Sequence, residues 1–193
     1  MSYIRSSLLE AQSILNTFIE DEQNVRKIED AIDIFVTSFK NKGRVFSCGN
    51  GGSMCDSLHF AEELTGRYRK DRAPLPATGI SEAGHITCIA NDFGFDHIFS
   101  RFVEAWGQQG DTLLAISTSG NSANVIKAVE VAKSKGMKVV GLLGKDGGKL
   151  KPMVDVPLII QSPITDRIQE VHIKCIHIFI EGIERQLFPE NYV

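Results

Sequence analysis

The stretch LLAISTSGNSANVIKAV (residues 113–129) is an apolar run that ends in small and polar residues just before a helical pattern begins. A strand that feeds a helix through such a turn is the unit of a parallel sheet wrapped by helices. Hydroxyls and backbone N–H groups gathered at that turn suit an anion, most often a phosphate. Ser117, Thr118, Ser119 and Ser122 would surround it with hydroxyls, and the helix from Ala123 would place its N-terminus behind it. An ordinary Ser N-cap accounts for Ser122 but not for the other three. The loop carries no Lys or Arg, which favours a monophosphate over a triphosphate.

Working outward, further strands are expected at 44–48, 77–81, 138–144 and 156–160, beside the one at 111–117. Helices are expected at 53–66, 83–91, 95–107, 123–135 and 166–187. The fold class is therefore α/β, a doubly wound five-stranded parallel sheet flanked by helices, with ligands gathering beyond the carboxyl ends of the strands. Two amphipathic helices, 6–18 and 24–40, come first; Ile28, Ile32, Phe35 and Phe39 fall three or four apart, as one buried face requires. The first either caps its own subunit or docks on another copy. With no linker or repeat, residues 1–193 are expected to form a single domain, 1–42 its N-terminal helices and 43–193 its α/β core.

A net charge of −3 among 193 residues lacks the basic footprint of a nucleic-acid binder. No apolar run approaches the roughly 20 residues that span a bilayer, and the first residues lack a signal peptide's apolar core. The expectation is a soluble, cytoplasmic chain whose Cys48, Cys55, Cys88 and Cys175 are reduced packing residues.

A second loop, CGNGGS (residues 48–53), has glycines that permit tight backbone geometry and a Ser53 able to cap the next helix. It fails the dinucleotide fingerprint, because Met54 holds the third glycine position. No Walker A loop is present, since GKDGGK only superficially resembles one. On the following helix His59 and Glu63 are four apart and share a face. That spacing holds a metal, pairs a base with its orienter, or makes a solvated surface contact, as Glu62 beside it is expected to do. The last helix carries Asp166, Gln169, His172 and His177. Gln169 and His177 differ by about 80° and about 12 Å along the axis, whereas His172 points about 140° from His177. With Ile173, Ile176 and Ile180 as neighbours, His177 also reads as a core histidine. Asn91 and Asp92 either grip sugar hydroxyls or end their helix.

The segments SCGNGGSMCDSLHFAEELTGRYR, ANDFGFDHIFSR, ISTSGNSANVIKA, GKDGGK and DRIQEVHIKCIH together closely resemble the phosphoheptose isomerases of the sugar-isomerase (SIS) domain family, over nearly the whole chain. The resemblance implies an aldose–ketose isomerase, an intramolecular oxidoreductase of carbohydrate metabolism. It would convert sedoheptulose 7-phosphate to D-glycero-D-manno-heptose 7-phosphate on the way to lipopolysaccharide. It also implies a homotetramer, through the N-terminal helices, with sites at subunit interfaces. Carried over by position, Ser53, Ser117, Thr118, Ser119 and Ser122 would hold the phosphate, with Asn50, Gly51 and Gly52 lining the loop. Asn91, Asp92, Asp166 and Gln169 would meet the sugar. Glu63 would be the base and His177 its proton-shuttling partner, and His59, Glu63, Gln169 and His177 would bind zinc. The tail LFPENYV is similar to a regulatory branch of the family that binds the replication initiator DnaA. That branch keeps the CGNG and RIQE frame but lacks acid and base at the places of Glu63 and His177.

Overall fold

The computed structural model describes residues 2–193. The apolar runs become five parallel strands: β1 (Val45–Cys48), β2 (Ala77–Gly79), β3 (Thr112–Ser117), β4 (Lys138–Gly144) and β5 (Val156–Ile160). Their order is β2-β1-β3-β4-β5. The chain leaves β1 towards one edge and returns past it to β3, so winding reverses between these two strands. There the crossovers diverge and open a crevice at the carboxyl ends. The register pairs Cys48 with Ala115, which puts the loops that follow β1 and β3 side by side at that crevice.

Among the described residues there are seven α-helices, α2–α7 around the sheet and α1 against α2 and α7: α1 (Tyr3–Glu20), α2 (Glu22–Lys40), α3 (Gly52–Thr65), α4 (Ala83–Phe93), α5 (Ser100–Trp106), α6 (Ala123–Ser134) and α7 (Thr165–Leu187). Alternation along the strands sorts them into two layers. Leu114 and Ile116 face a core built with α2, α3 and α7. Leu113 and Ala115 face a second core built with α5 and α6. In the first, Phe35 of α2 lies 5.3 Å from Phe60 of α3 and 5.5 Å from Phe179 of α7, ring to ring. Such tilted aromatic contacts fix how α3 lies against α7, and these two helices carry His59, Glu63 and His177.

Three expectations need correction. The helix expected over 95–107 is broken: a 3-10 turn (Phe95–His97) precedes α5, because the chain bends to bury Ile98 and Phe99 completely. Tertiary burial there overrides helix continuity. Of the four cysteines only Cys48 and Cys175 are buried packing residues; Cys55 and Cys88 are exposed. Burial pushes both inner thiols up to about 12. Ser53 does not cap α3, because the chain enters at Gly51, with φ +56 and ψ −124, and Ser53 is buried in the first turn. That backbone suits glycine alone.

Helix α1 buries only Phe18 and leaves Tyr3, Ile4, Leu8, Leu9 and Ile19 exposed. Its tie to the rest includes Arg167 of α7, which donates to Glu10 and to the Ser7 hydroxyl.

Candidate active site

Beyond β3, Ser117 is buried and its hydroxyl lies 2.9 Å from that of Ser122 and 3.5 Å from that of Ser119. Ser122 holds the N-cap position of α6, yet its side chain makes no capping bond. It turns towards Ser117 instead, so the hydroxyls converge in front of the positive end of α6. The GKDGGK segment buttresses this loop from behind. Leu150 N–H donates to the Gly120 carbonyl (3.0 Å), and Lys149 N–H to Asn121 Oδ1 (3.1 Å). Gly120 has φ +65, and a Cβ there would collide with the Gly147 carbonyl.

The glycine loop after β1 is fastened to this cradle by a reciprocal amide pair that the sequence did not reveal. Asn50 Nδ2 donates to Asn124 Oδ1 (2.9 Å), and Asn124 Nδ2 donates to Asn50 Oδ1 (2.8 Å). Gly52 receives the side chain of Gln169: a Cβ there would fall 2.5 Å from Gln169 Nε2. Gln169 thus stands beside the glycine loop, while His177, farther along α7, faces α3.

On that side three groups converge on one imidazole. His59 Nε2 lies 3.0 Å from His177 Nε2 and 3.7 Å from Glu63 Oε1, and its Nδ1 lies 3.3 Å from Glu62 Oε1. Tyr68 stacks on the His177 ring at 5.9 Å. The Glu63 carboxyl is raised above the usual range, chiefly by burial, with Glu62 and Glu184 adding to it and His59 and Arg72 opposing. His177 is lowered, first by burial and then by the nearby positive charge of His59, Lys174 and Arg69. His59, Glu62 and Glu63 are the described His, Cys, Asp and Glu side chains that cluster closely enough to hold a metal ion. Glu62, 64% exposed, faces Nδ1, while Glu63 and His177 face Nε2. Glu62 is open to solvent, as expected of a surface contact.

The core histidine of α7 is His172, not His177. It is wholly buried, with Nε2 3.1 Å from the Leu143 carbonyl. Burial lowers its pKa to about 4. Asp166 is exposed at the start of α7, beside Arg167. Asn91 and Asp92 are exposed at the end of α4, where Asn91 Nδ2 donates to Asp92 Oδ1 (2.8 Å). His177 also borders an apolar groove lined by Phe18, Ile28, Val171 and Ile178, which Glu63 does not line.

The model of the SIS domain matches residues 8–144. A phosphoheptose isomerase from Histophilus somni is 55% identical over 97% of this chain and 96% of its own length. The chain belongs to the phosphoheptose isomerase family. A relative of the same name from Fusobacterium nucleatum is 56% identical over 93% of either chain. The structure of a phosphoheptose isomerase from Neisseria gonorrhoeae superposes with a TM-score of 0.89 at 39% identity, over 94% of this chain and 97% of that one. The SIS domain match ends at Gly144, before α7. The phosphoheptose isomerase relatives continue through α7, the helix that brings His177 to His59. The family likeness supports isomerase chemistry and not the DnaA-binding alternative.

Proposed function

We propose that this chain interconverts sedoheptulose 7-phosphate and D-glycero-D-manno-heptose 7-phosphate, and that its two loops and the α3–α7 contact divide the work. Ser117, Thr118, Ser119, Ser122 and Ser53 hold the phosphate, with Asn50, Gly51 and Gly52 lining its entrance. Asn91, Asp92, Asp166 and Gln169 meet the sugar hydroxyls. Because Asn91 and Asp92 stand exposed on α4, which packs on the second core, whereas α3 and α7 with the histidine pair pack on the first, they serve a site completed by another copy in a homotetramer. The exposed apolar face of α1 supplies a surface for that assembly.

Moving the carbonyl from C2 to C1 requires removal of a proton from C1, a cis-enediol, and return of a proton to C2. Glu63 is the base, and its raised pKa suits a weak carbon acid. His177 shuttles protons at the oxygens and, with its own pKa lowered, is neutral and able to accept one. The single observation that carries this reading is that Glu63 and His177 both reach His59 Nε2 within one subunit.

Two separations in this donor set are of the size that zinc requires. Donor atoms around a tetrahedral ion with bonds of about 2.0–2.1 Å stand roughly 3.3 Å apart, close to the 3.0 and 3.7 Å found at His59 Nε2. His59, Glu63 and His177 would hold the ion with Gln169 as the fourth ligand, and a bound ion would supply a Lewis acid to the sugar oxygens. A carboxylate bound to a metal is a weaker base, so coordination and proton abstraction by Glu63 belong to different states. Incubation with sedoheptulose 7-phosphate, with and without chelator, tests both parts. Turnover that falls on chelation and returns with zinc is expected. Turnover indifferent to chelation would remove the metal role, and none under any condition would remove the isomerase reading.

A further inference from the structure

The side chain of Arg72 takes no part in the chemistry above, yet only 1% of it is exposed, and its counter-charge Glu184 is fully buried. A guanidinium is seldom buried unless its donors are engaged, and here each nitrogen is. Nε donates to Glu184 Oε1 (2.9 Å), Nη1 to the carbonyls of Leu64 (2.8 Å) and Gly66 (2.9 Å), and Nη2 to the carbonyl of Glu63 (2.6 Å). The last carbonyls of a helix have no partners within it. Arg72 takes two of those at the end of α3, one of them belonging to Glu63 itself. Glu184 stands seven residues beyond His177 on α7, about two turns, so the two share one stripe of that helix. Its other oxygen accepts from the Tyr192 hydroxyl at 2.7 Å. Tyr192 arrives on the C-terminal 3-10 turn (Pro189–Tyr192), whose leading residue Phe188 sets its ring 6.0 Å from the guanidinium carbon.

A buried ion pair is weak evidence of stabilisation, because desolvation offsets its attraction, and an apolar pair of similar volume packs at least as well. An apolar pair has no directed donors, however, and could not hold the Glu63 and Leu64 carbonyls at a fixed offset from α7. We propose that Arg72 is a positioning residue for the isomerisation: anchored by Glu184 and Tyr192, it fixes the end of α3 against α7 so that Glu63 and His177 both meet His59. The inference rests on the function proposed above. A displacement of about 1 Å at reacting groups costs up to about a hundredfold in rate, which gives such a clamp a measurable role.

The test uses full-length Arg72→Lys, which keeps the charge but has one nitrogen for four acceptors, together with Tyr192→Phe, which removes a single bond from the clamp. Each is read in two ways. In kinetics with sedoheptulose 7-phosphate, kcat should fall about tenfold or more in Arg72→Lys and about two- to threefold in Tyr192→Phe. KM, set at the phosphate cradle, should stay within about twofold. In the crystal structure of Arg72→Lys, the contact between the His59 and His177 Nε2 atoms should open beyond its present 3.0 Å. If Arg72→Lys does not fold, Tyr192→Phe carries both readouts. An unmoved histidine contact overturns the proposal, and so does an unchanged kcat where the wild type is active. A wild type without turnover overturns the functional reading instead, and the histidine contact then decides the role of Arg72 alone.

Discussion

Glu63 and His172 mark the two ends of what burial does to a titratable side chain here. Glu63 keeps part of its side chain open to solvent, and a raised pKa leaves it a base strong enough for a carbon acid. Glu63→Gln keeps the shape and removes the proton acceptor. Turnover of sedoheptulose 7-phosphate should drop at least about a hundredfold, measured as initial rates at saturating substrate. His172 is sealed inside, and its pKa falls from 6.5 to about 4. Between those values only the unfolded chain takes up the proton, so stability falls as the pH drops from about 6.5 to about 4. The loss is on the order of 3 kcal/mol at about 1.4 kcal/mol per unit. Asp56, raised to about 6 by burial, acts in the opposite sense over part of that range. The comparison that isolates His172 is therefore urea unfolding of wild type against His172→Gln, whose pH dependence should be flatter by about that amount. The folded variant should keep most of its activity; a large loss would place His172 in the site. At this scale the His59/Glu63 pair was legible from its spacing of four. Which α7 histidine lies in the core was not, because Ile173, Ile176 and Ile180 mark an apolar helix without saying which of its faces meets β4.

The strands and the turn from β3 into α6 are the elements that the sequence carried most plainly, since an apolar run ending in Ser and Gly before a helical pattern marks a strand-to-helix turn. The capping chemistry was misread for a related reason. Ser53 is a good N-cap residue, but a side chain packed into the first turn leaves its helix uncapped. The Asn50–Asn124 pair was beyond sequence reading, because it joins residues 74 positions apart that become neighbours only when β1 and β3 pair. It makes the two loops one structural unit. Asn124→Ala would leave the Asn50 amide and the Val125 N–H without their partners. A stability loss of about 1–3 kcal/mol is expected in urea, with KM for the phosphosugar rising several-fold while kcat changes less. An unchanged KM would separate the glycine loop from substrate binding.

The whole molecule exposes more apolar surface on α1 than a helix packed only within its own chain requires. Tyr3, Ile4, Leu8 and Leu9 stand 45–82% exposed. Their pattern was legible as an amphipathic helix, but a sequence does not say whether the other side is the same subunit or the next. Light scattering should give the wild type a mass about four times 21.3 kDa. Leu8→Glu, which puts a charge where apolar contact is expected, should lower the mass and reduce activity with it, because the Asn91–Asp92 pair would lose the site it serves. A monomeric yet fully active protein would show each chain to be complete alone. The most direct measurement of the account as a whole follows conversion of sedoheptulose 7-phosphate in deuterated water by nuclear magnetic resonance, for wild type and Glu63→Gln side by side. The wild type should form the aldose phosphate with solvent deuterium at C2, and the variant should do so at least about a hundredfold more slowly. Product formed at the wild-type rate by Glu63→Gln, or aldose formed without any deuterium at C2, would contradict proton transfer by Glu63 through an enediol that exchanges with solvent.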